Sequence, residues 1–331
     1  MDAIQVAVVG LGWWGQNIIG QVAQSELLSV RTGVDPDAAG RARAEALGVP
    51  TTAGFASALE DPAIDAVILC SPHRMHSYQV VAAARAGKHV FCEKPFSTSS
   101  VDSDRALEAV AKAGVRLGIG HERRFESAVV EMRERLDSGD LGVPLVFEGT
   151  FSQDKFLALP SDNWRLSSEH APVGPLSATG IHLVDLAIAM MGSPTQVWAQ
   201  LSTRATSFEN GDNLTITMTF ADGGTAVITA VLTTPFIGRV CVMGSQGWME
   251  IRDRSHPESP TGWDVTTTHR DGSPELRFFE PEPAVRLNLE AFARSVMGKA
   301  EYPVTLGEIR SNVRAFEAIT RSALTGQVET V

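Results

Sequence analysis

The sequence predicts an α/β protein in two parts. An N-terminal doubly wound parallel sheet is followed by an α+β domain with a large, mostly antiparallel open sheet. Three observations carry this reading. Short runs rich in Val, Ile and Leu alternate with Ala-rich stretches as far as about residue 120. From about residue 145 the strand-like runs lengthen and alternate apolar with polar residues. In that second part, turn signals rather than helices join neighbouring runs. At 331 residues the chain also exceeds the roughly 250–300 residues at which a single core stops growing. Two domains are expected, 1–122 and 123–331.

Taken in order, 4–9, 28–34, 66–70, 89–92 and 115–118 are near-continuously apolar, as strands buried on both faces must be. Between them, 38–47, 76–86 and 101–113 read as helices. Gly48 and Gly87 stand just after two of these, where a helix end favours the left-handed conformation. Farther on, 145–151, 195–203, 212–220 and 225–232 read as strands. Leu214, Ile216, Met218 and Phe220 alternate with Thr215, Thr217 and Thr219, the period of a sheet with one buried face. Ala221-Asp222-Gly223-Gly224 closes a hairpin, Asp271-Gly272 marks another turn, and Gly244-Ser245-Gln246-Gly247 joins 240–243 to 248–251. A helix is expected over 181–191.

Composition narrows the partners. The chain is 44% hydrophobic and 20% charged, with a formal charge of −11. That balance argues against nucleic acid and anionic membrane surfaces, which select Lys and Arg. Cys70, Cys92 and Cys241 form no metal-ligand spacing, so no metal is expected, and their sparse, odd count suits a reducing compartment. No run reaches the ~18 apolar residues of a membrane span, and no secretory leader pattern opens the sequence. A cytoplasmic location is the expectation.

Gly10-Leu11-Gly12-Trp13-Trp14-Gly15 follows the first strand and opens a helix. The first glycine permits the tight turn, the second admits a pyrophosphate, and the third lets helix and strand pack closely. The helix N-terminus then offers free N–H groups to the phosphates. An acidic residue belongs about 20 residues later, at the end of the second strand, and Asp35 stands there. A carboxylate at that point accepts from a ribose hydroxyl and repels a 2′-phosphate, which favours NAD. Arg41 and Arg43 nearby keep NADP open. The first domain therefore reads as a Rossmann domain.

Ser71-Pro72-His73-Arg74-Met75-His76 and Glu93-Lys94-Pro95 lie at the carboxyl ends of predicted parallel strands, where open α/β sheets bind ligands. Ala86 through Pro95 (AGKHVFCEKP), Arg124-Phe125 and Gly180-Ile181-His182-Leu183-Val184-Asp185 follow the glycine fingerprint in that order. In these elements the chain resembles the glucose–fructose oxidoreductase, inositol dehydrogenase and rhizopine-catabolism (Gfo/Idh/MocA) family over nearly its whole length. The resemblance implies a dehydrogenase or reductase acting on CH–OH groups. Hydride would pass between a secondary alcohol carbon of a sugar, cyclitol or related hydroxylated ring and the nicotinamide. It further implies Lys94 beside the nicotinamide and the reacting hydroxyl, and His182 as the group that takes the proton. Asp185, on the same helix face as His182, either contacts substrate or is a first-turn carboxylate favoured by the helix dipole.

The implied cofactor residues are Gly10, Gly12, Trp13, Trp14, Gly15, Asp35, Ser71, Pro72, His76, Glu93 and Lys94. The substrate residues are His121, Arg124, Trp164, Arg165 and His182. One departure limits the transfer of specificity. Many polyol-oxidising members carry an aspartate four residues before the histidine, where this chain has Ala178. Thr179, Glu169, His170 and Asp154 are alternative sources of a polar group. A dehydrogenase of an aromatic-catabolic intermediate and a non-catalytic NAD-binding regulator remain as rival readings. A homo-oligomer, dimer or tetramer, is expected through the C-terminal sheet.

Overall fold

The computed structural model describes residues 3–331. The first part holds strands β1 (Ile4–Val9), β2 (Leu28–Val34), β3 (Thr51–Thr52), β4 (Ala66–Leu69), β5 (His89–Cys92) and β6 (Leu117–Ile119). They form one parallel sheet in the order β3-β2-β1-β4-β5-β6. Its helices are α1 (Trp13–Val22), α2 (Ala38–Glu45), α3 (Phe55–Glu60), α4 (His73–Arg85) and α5 (Ser100–Ala113). Strand order reverses between β1 and β4, which places the topological switch beside the glycine turn. Every residue of β4 is buried, so the apolar run is explained by helices on both faces. Helix α4 begins at His73 rather than at 76, because Pro72 at its N-cap presets the backbone and needs no N–H partner.

The second part contains α6 (Ser127–Asp137), β7 (Pro144–Ser152), α7 (Ile181–Met191), β8 (Pro194–Ser202), β9 (Asn213–Phe220), β10 (Thr225–Val231), β11 (Ile237–Gly244), β12 (Gly247–Asp253), β13 (Trp263–His269), β14 (Glu275–Phe279) and β15 (Glu329–Thr330). Its nine strands run β14-β13-β12-β11-β7-β10-β9-β8-β15, antiparallel except where β7 meets β10. Leu214, Ile216, Met218 and Phe220 are buried and the intervening threonines of β9 are not, as the alternation requires. The inner face packs on α7, every residue of which is buried.

Helices α8 (Ala284–Val296) and α9 (Leu306–Thr325) correct the expected single division after residue 122. One compact unit comprises the chain through Glu122 together with Pro283–Val313, and the other comprises Arg123–Glu282 with Arg314–Val331. Phe292 of α8 packs edge-on against Phe91 of β5 at 5.7 Å, and the Asn288 side chain donates to the Ile119 carbonyl at 2.9 Å. An amphipathic helix shows that it covers a sheet but not which sheet, so its sequence does not reveal this return.

Candidate active site

The cofactor half lies in the first unit. The Gly10 N–H donates to Val34 O at 2.8 Å, and the Leu11 N–H donates to Asp35 Oδ2 at 2.6 Å. Asp35 Oδ1 accepts from the Asp37 N–H at 2.9 Å. Asp35 thus shapes the turn, and a carboxylate with about four acceptor positions retains capacity for a ribose hydroxyl. A Cβ on Gly10 would lie 2.7 Å from the Cys70 backbone, and one on Gly15 would lie 1.9 Å from Gly10 O. A Cβ on Gly12 would meet nothing within 4 Å. Gly12 therefore borders open space at the start of α1, whose first turn has neither an acidic residue nor a side-chain cap. That cradle fits a pyrophosphate. Trp13 is 60% exposed and Trp14 is half-buried, their ring centroids 5.5 Å apart. Arg41 is committed elsewhere, its Nη1 donating to the carbonyls of Asp35 and Pro36.

At the ends of β4 and β5, Ser71 Oγ donates to Gln79 Oε1, and Lys94 stands half-buried before Pro95. His76 departs from the expectation of a cofactor contact. Its ring is fully buried, within 2.8 Å of both Ser71 O and Pro95 O, and burial lowers its pKa. It ties the two strand-end loops together from inside. Glu93, also expected at the cofactor, is buried too. Burial and then the neighbouring Glu122 push its carboxyl up to about 7, against the Trp14 indole and Lys94. A Cβ on Gly120 would lie 2.3 Å from Glu93 Oε2, so the glycine makes room for this carboxyl. His121 is likewise buried, its backbone N–H donating to Ile119 O at 2.8 Å.

In the second unit, α7 places His182 and Asp185 on one face, both nearly inaccessible. Asp185 is paired with a cation of the same unit. Arg124 Nε and Nη2 each reach a carboxylate oxygen of Asp185 at 2.7 Å, so the two expected site residues pair with each other. Two charges removed from water require such a partner, and the bidentate fork supplies it. The His182 ring lies 5.9 Å from that of Phe151. Ala178 and Thr179 belong to a π-helical turn, Leu176–Gly180, that leads into α7. The Thr179 hydroxyl donates back to Pro175 O at 3.3 Å, which uses its proton and leaves its oxygen as an acceptor. Asp154 and Glu169 are exposed. Arg165 stacks over Trp164 at 4.4 Å, and burial lowers its pKa.

Phe151, Gln153, Phe236 and His256, grouped on the His182 side of this unit, were not anticipated. Phe151 also contacts the rings of Phe236 and His256, at 6.1 and 5.6 Å. Arg123 lies over Phe151 at 5.6 Å, with Nη2 donating to Asp253 Oδ1 at 2.8 Å and Nε to Glu126 Oε1 at 3.2 Å. Burial works against its charge, but Asp253 and Glu126 prevail and raise its pKa. His256 Nε2 lies 2.7 Å from Gln153 Oε1. The alternation of β7 carries a partial signal: Phe147, Gly149 and Phe151 are buried in turn, but Ser152 is buried as well and the buried Gln153 lies just past the strand. For His256 no local signal exists, since it is 74 positions from His182 in an irregular segment.

Comparison with known proteins adds the following. Residues 4–121 match the family model for the Gfo/Idh/MocA oxidoreductases, NAD-binding Rossmann fold, and residues 129–250 match the C-terminal domain model of the same family. A D-xylose 1-dehydrogenase (NADP(+)) of Haloferax volcanii is 29% identical over 94% of this chain and 94% of its own. A myo-inositol 2-dehydrogenase of Thermotoga maritima is 39% identical over 42% of this chain and 39% of its own. The chain thus spans about half the length, or less, of some curated relatives that it matches. The crystal structure of an aldose–aldose oxidoreductase from Caulobacter crescentus, complexed with glycerol, superposes with a TM-score of 0.87. It is 25% identical, with 99% of this chain and 100% of that one covered. Among the described residues, no helix is long and apolar enough to cross a membrane.

Proposed function

The chain belongs to the Gfo/Idh/MocA oxidoreductase family, and from that premise we propose that it transfers hydride between a secondary alcohol carbon of a sugar or cyclitol and the nicotinamide of NAD(P). The observation that carries this reading is the glycine turn. Gly12 opens onto space at an uncapped helix start, at the switch point of the sheet, with Asp35 bonded to the same turn. Asp35 and the engagement of Arg41 by backbone carbonyls support NAD over NADP as the preferred form. The bound dinucleotide supplies the hydride acceptor in its oxidised form.

The protein's own residues supply proton chemistry. Lys94, half-buried at the end of β5, orients the substrate hydroxyl. His182 takes the hydroxyl proton as the carbon loses hydride, and imidazole suits that task near neutral pH. Alcohol oxidation thus yields a carbonyl, one hydride on the nicotinamide and one proton on His182. A homo-oligomer joined through the nine-stranded sheet is part of the proposal.

The test is Lys94→Met, assayed by absorbance of the reduced nicotinamide on D-xylose and myo-inositol. General acid–base groups contribute about 10²–10⁴-fold. Turnover is expected to fall by that factor while NAD affinity, measured by calorimetry, stays within twofold. Turnover near that of the parent protein would exclude this role for Lys94.

A further inference from the structure

We propose that Asn210 is a positioning residue for His182: it clamps the chain on both sides of the strained Val173 and so sets the π-helical turn from which α7 presents the histidine. The inference rests on the proton-transfer reading of His182 for its effect on turnover, and adds a residue that acts through the backbone rather than on a ligand.

The clamp is built from one residue. Asn210 is 2% exposed, and its Nδ2 donates to Arg165 O and to Ala171 O, each at 2.8 Å. Carbonyl oxygens only accept, so the amide must turn its NH₂ group toward them. The backbone carbonyl of Asn210 accepts from the Gly174 N–H at 2.7 Å. A Cβ on Gly174 would lie 2.8 Å from Asn210 Oδ1, so the glycine is what admits the amide. Asn210 is itself held to the sheet through Asp212. The N–H of that residue donates to Ser202 O at 3.1 Å, and its carbonyl accepts from the Leu232 N–H at 2.9 Å. Its carboxylate accepts from the N–H groups of Arg204, Ala205 and Thr206 at 2.9, 2.8 and 3.0 Å.

Between the two clamped points, Ala171 and Gly174, stands Val173 with a φ of 51°. Among the described residues it is the one non-glycine residue in the left-handed region. A β-branched side chain crowds the backbone there, and such a conformation persists only where its surroundings over-determine it. Asn210 supplies that constraint from both sides. The Val173 side chain is buried in the core with Leu176 and Ile181, which holds a valine at this position.

The strained residue leads directly into α7. Val173 O accepts from the Ser177 N–H at 3.0 Å, and Pro172 O accepts from the Ser177 hydroxyl at 2.7 Å. Ser177 lies in the π turn Leu176–Gly180, which the Ile181 N–H closes on Leu176 O, and His182 is the next residue. A π turn holds one residue more than the α-helical repeat. Its relaxation to an α-turn re-registers the two sides by about 100°. Without the Asn210 amide, Val173 is free to leave the left-handed region, and the first turn of α7 loses its fixed start.

The experiment reads Asn210→Ala in two backgrounds, the parent protein and Val173→Gly, because glycine occupies the left-handed region without strain. Hydride transfer is followed by absorbance on D-xylose and myo-inositol, and NAD affinity by calorimetry. The His182 ring is followed by NMR of histidine-labelled protein with NAD saturating, its signal assigned with His182→Gln. In the parent background kcat is expected to fall by about ten- to a hundredfold, the cost of a group misplaced by up to about 1 Å. The titration midpoint of His182 and the pH profile of kcat should move together, by about half a unit or more. NAD affinity should stay within about twofold, since the glycine turn belongs to the other unit. In the Val173→Gly background the same change is expected to cost less than about threefold in kcat, a non-additivity expected of residues that act as one device. Parent-like kcat, an unmoved His182 signal, or an equal fall in both backgrounds would each overturn the clamp. If Asn210→Ala does not fold in the parent background, the double variant is expected to fold, and its failure to do so would overturn the clamp as well. Should the parent transfer no hydride while Asn210→Ala still moves the His182 signal, the hydride reading falls and the clamp stands.

Discussion

Glu93 illustrates how a single residue can record a conflict between burial and chemistry. Its carboxyl sits between Trp14, Gly120 and Glu122, where charge is disfavoured, and rises from an ordinary 4.5 to about 7. Below pH 4.5 it is protonated both folded and unfolded. Between pH 4.5 and 7 the unfolded chain ionises while the folded one keeps its proton, so stability falls as pH rises through that window. The full loss is about 3 kcal/mol by pH 8. Urea unfolding at pH 4.5 and pH 8 is expected to show the parent losing that much more than Glu93→Gln, which has no proton to release. Parallel behaviour of the two proteins would exclude the assignment. Residue identity was legible here, since Glu93-Lys94-Pro95 stands out in the sequence, but its environment was not. The same holds for His76 and Asp185, whose titratable side chains suggested work on a ligand. The fold gives the first to two backbone carbonyls and the second to Arg124.

At the level of elements, the glycine turn between β1 and α1 has the least tolerance. The spacing of its glycines was readable because Gly10 and Gly15 answer local steric demands, while Gly12 leaves open space at the start of α1. Gly15→Ala places a methyl carbon 1.9 Å from Gly10 O, a contact that only displacement of α1 from β1 can relieve. The variant is expected to lose NAD affinity by at least a hundredfold. Its thermal midpoint should drop by several degrees, consistent with the roughly 1–3 kcal/mol of an overpacked site. Gly12→Ala, by contrast, meets no protein atom and is expected to keep the fold while weakening cofactor binding. A Gly12→Ala protein that lost stability as Gly15→Ala does would contradict the separate roles given to the two glycines. Strands were legible through their periods, and β9 alternates as expected. Helices α8 and α9 were not, because both are amphipathic and fit either sheet equally well by pattern.

At the level of the molecule, the nine-stranded sheet has an inner face packed on α7 and an outer face that α7 leaves uncovered. The outer row Trp198, Thr217, Val227, Glu148, Cys241 and Glu250 crosses six strands in register. Arg239 ties Glu148 to Glu250 within it. Thr217 and Val227 are exposed although they occupy the middle of the sheet. Under the proposed assembly, Val227→Arg combined with Thr217→Arg places charge at the joint. It is expected to shift the protein to monomer in sedimentation velocity without moving its circular dichroism. An unchanged sedimentation coefficient would place the joint elsewhere.

The sequence by itself determined the elements whose causes are local. The glycine turn, the acidic end of β2, the apolar parallel strands and the alternating antiparallel strands follow from sterics or period over a few residues, whereas the lysine and histidine motifs are legible only as a family resemblance. Tertiary structure alone decided which charges are spent on one another and which polar groups remain available. Arg124 and Asp185 are 61 positions apart, Arg123 and Asp253 are 130 apart, and Gln153 and His256 are 103 apart. Such pairings have no periodic signature, because they are set by chain segments that meet only after the sheet has formed. The cofactor half was therefore largely readable in advance, whereas the chemical character of the proposed substrate half emerged only with the packing around Phe151.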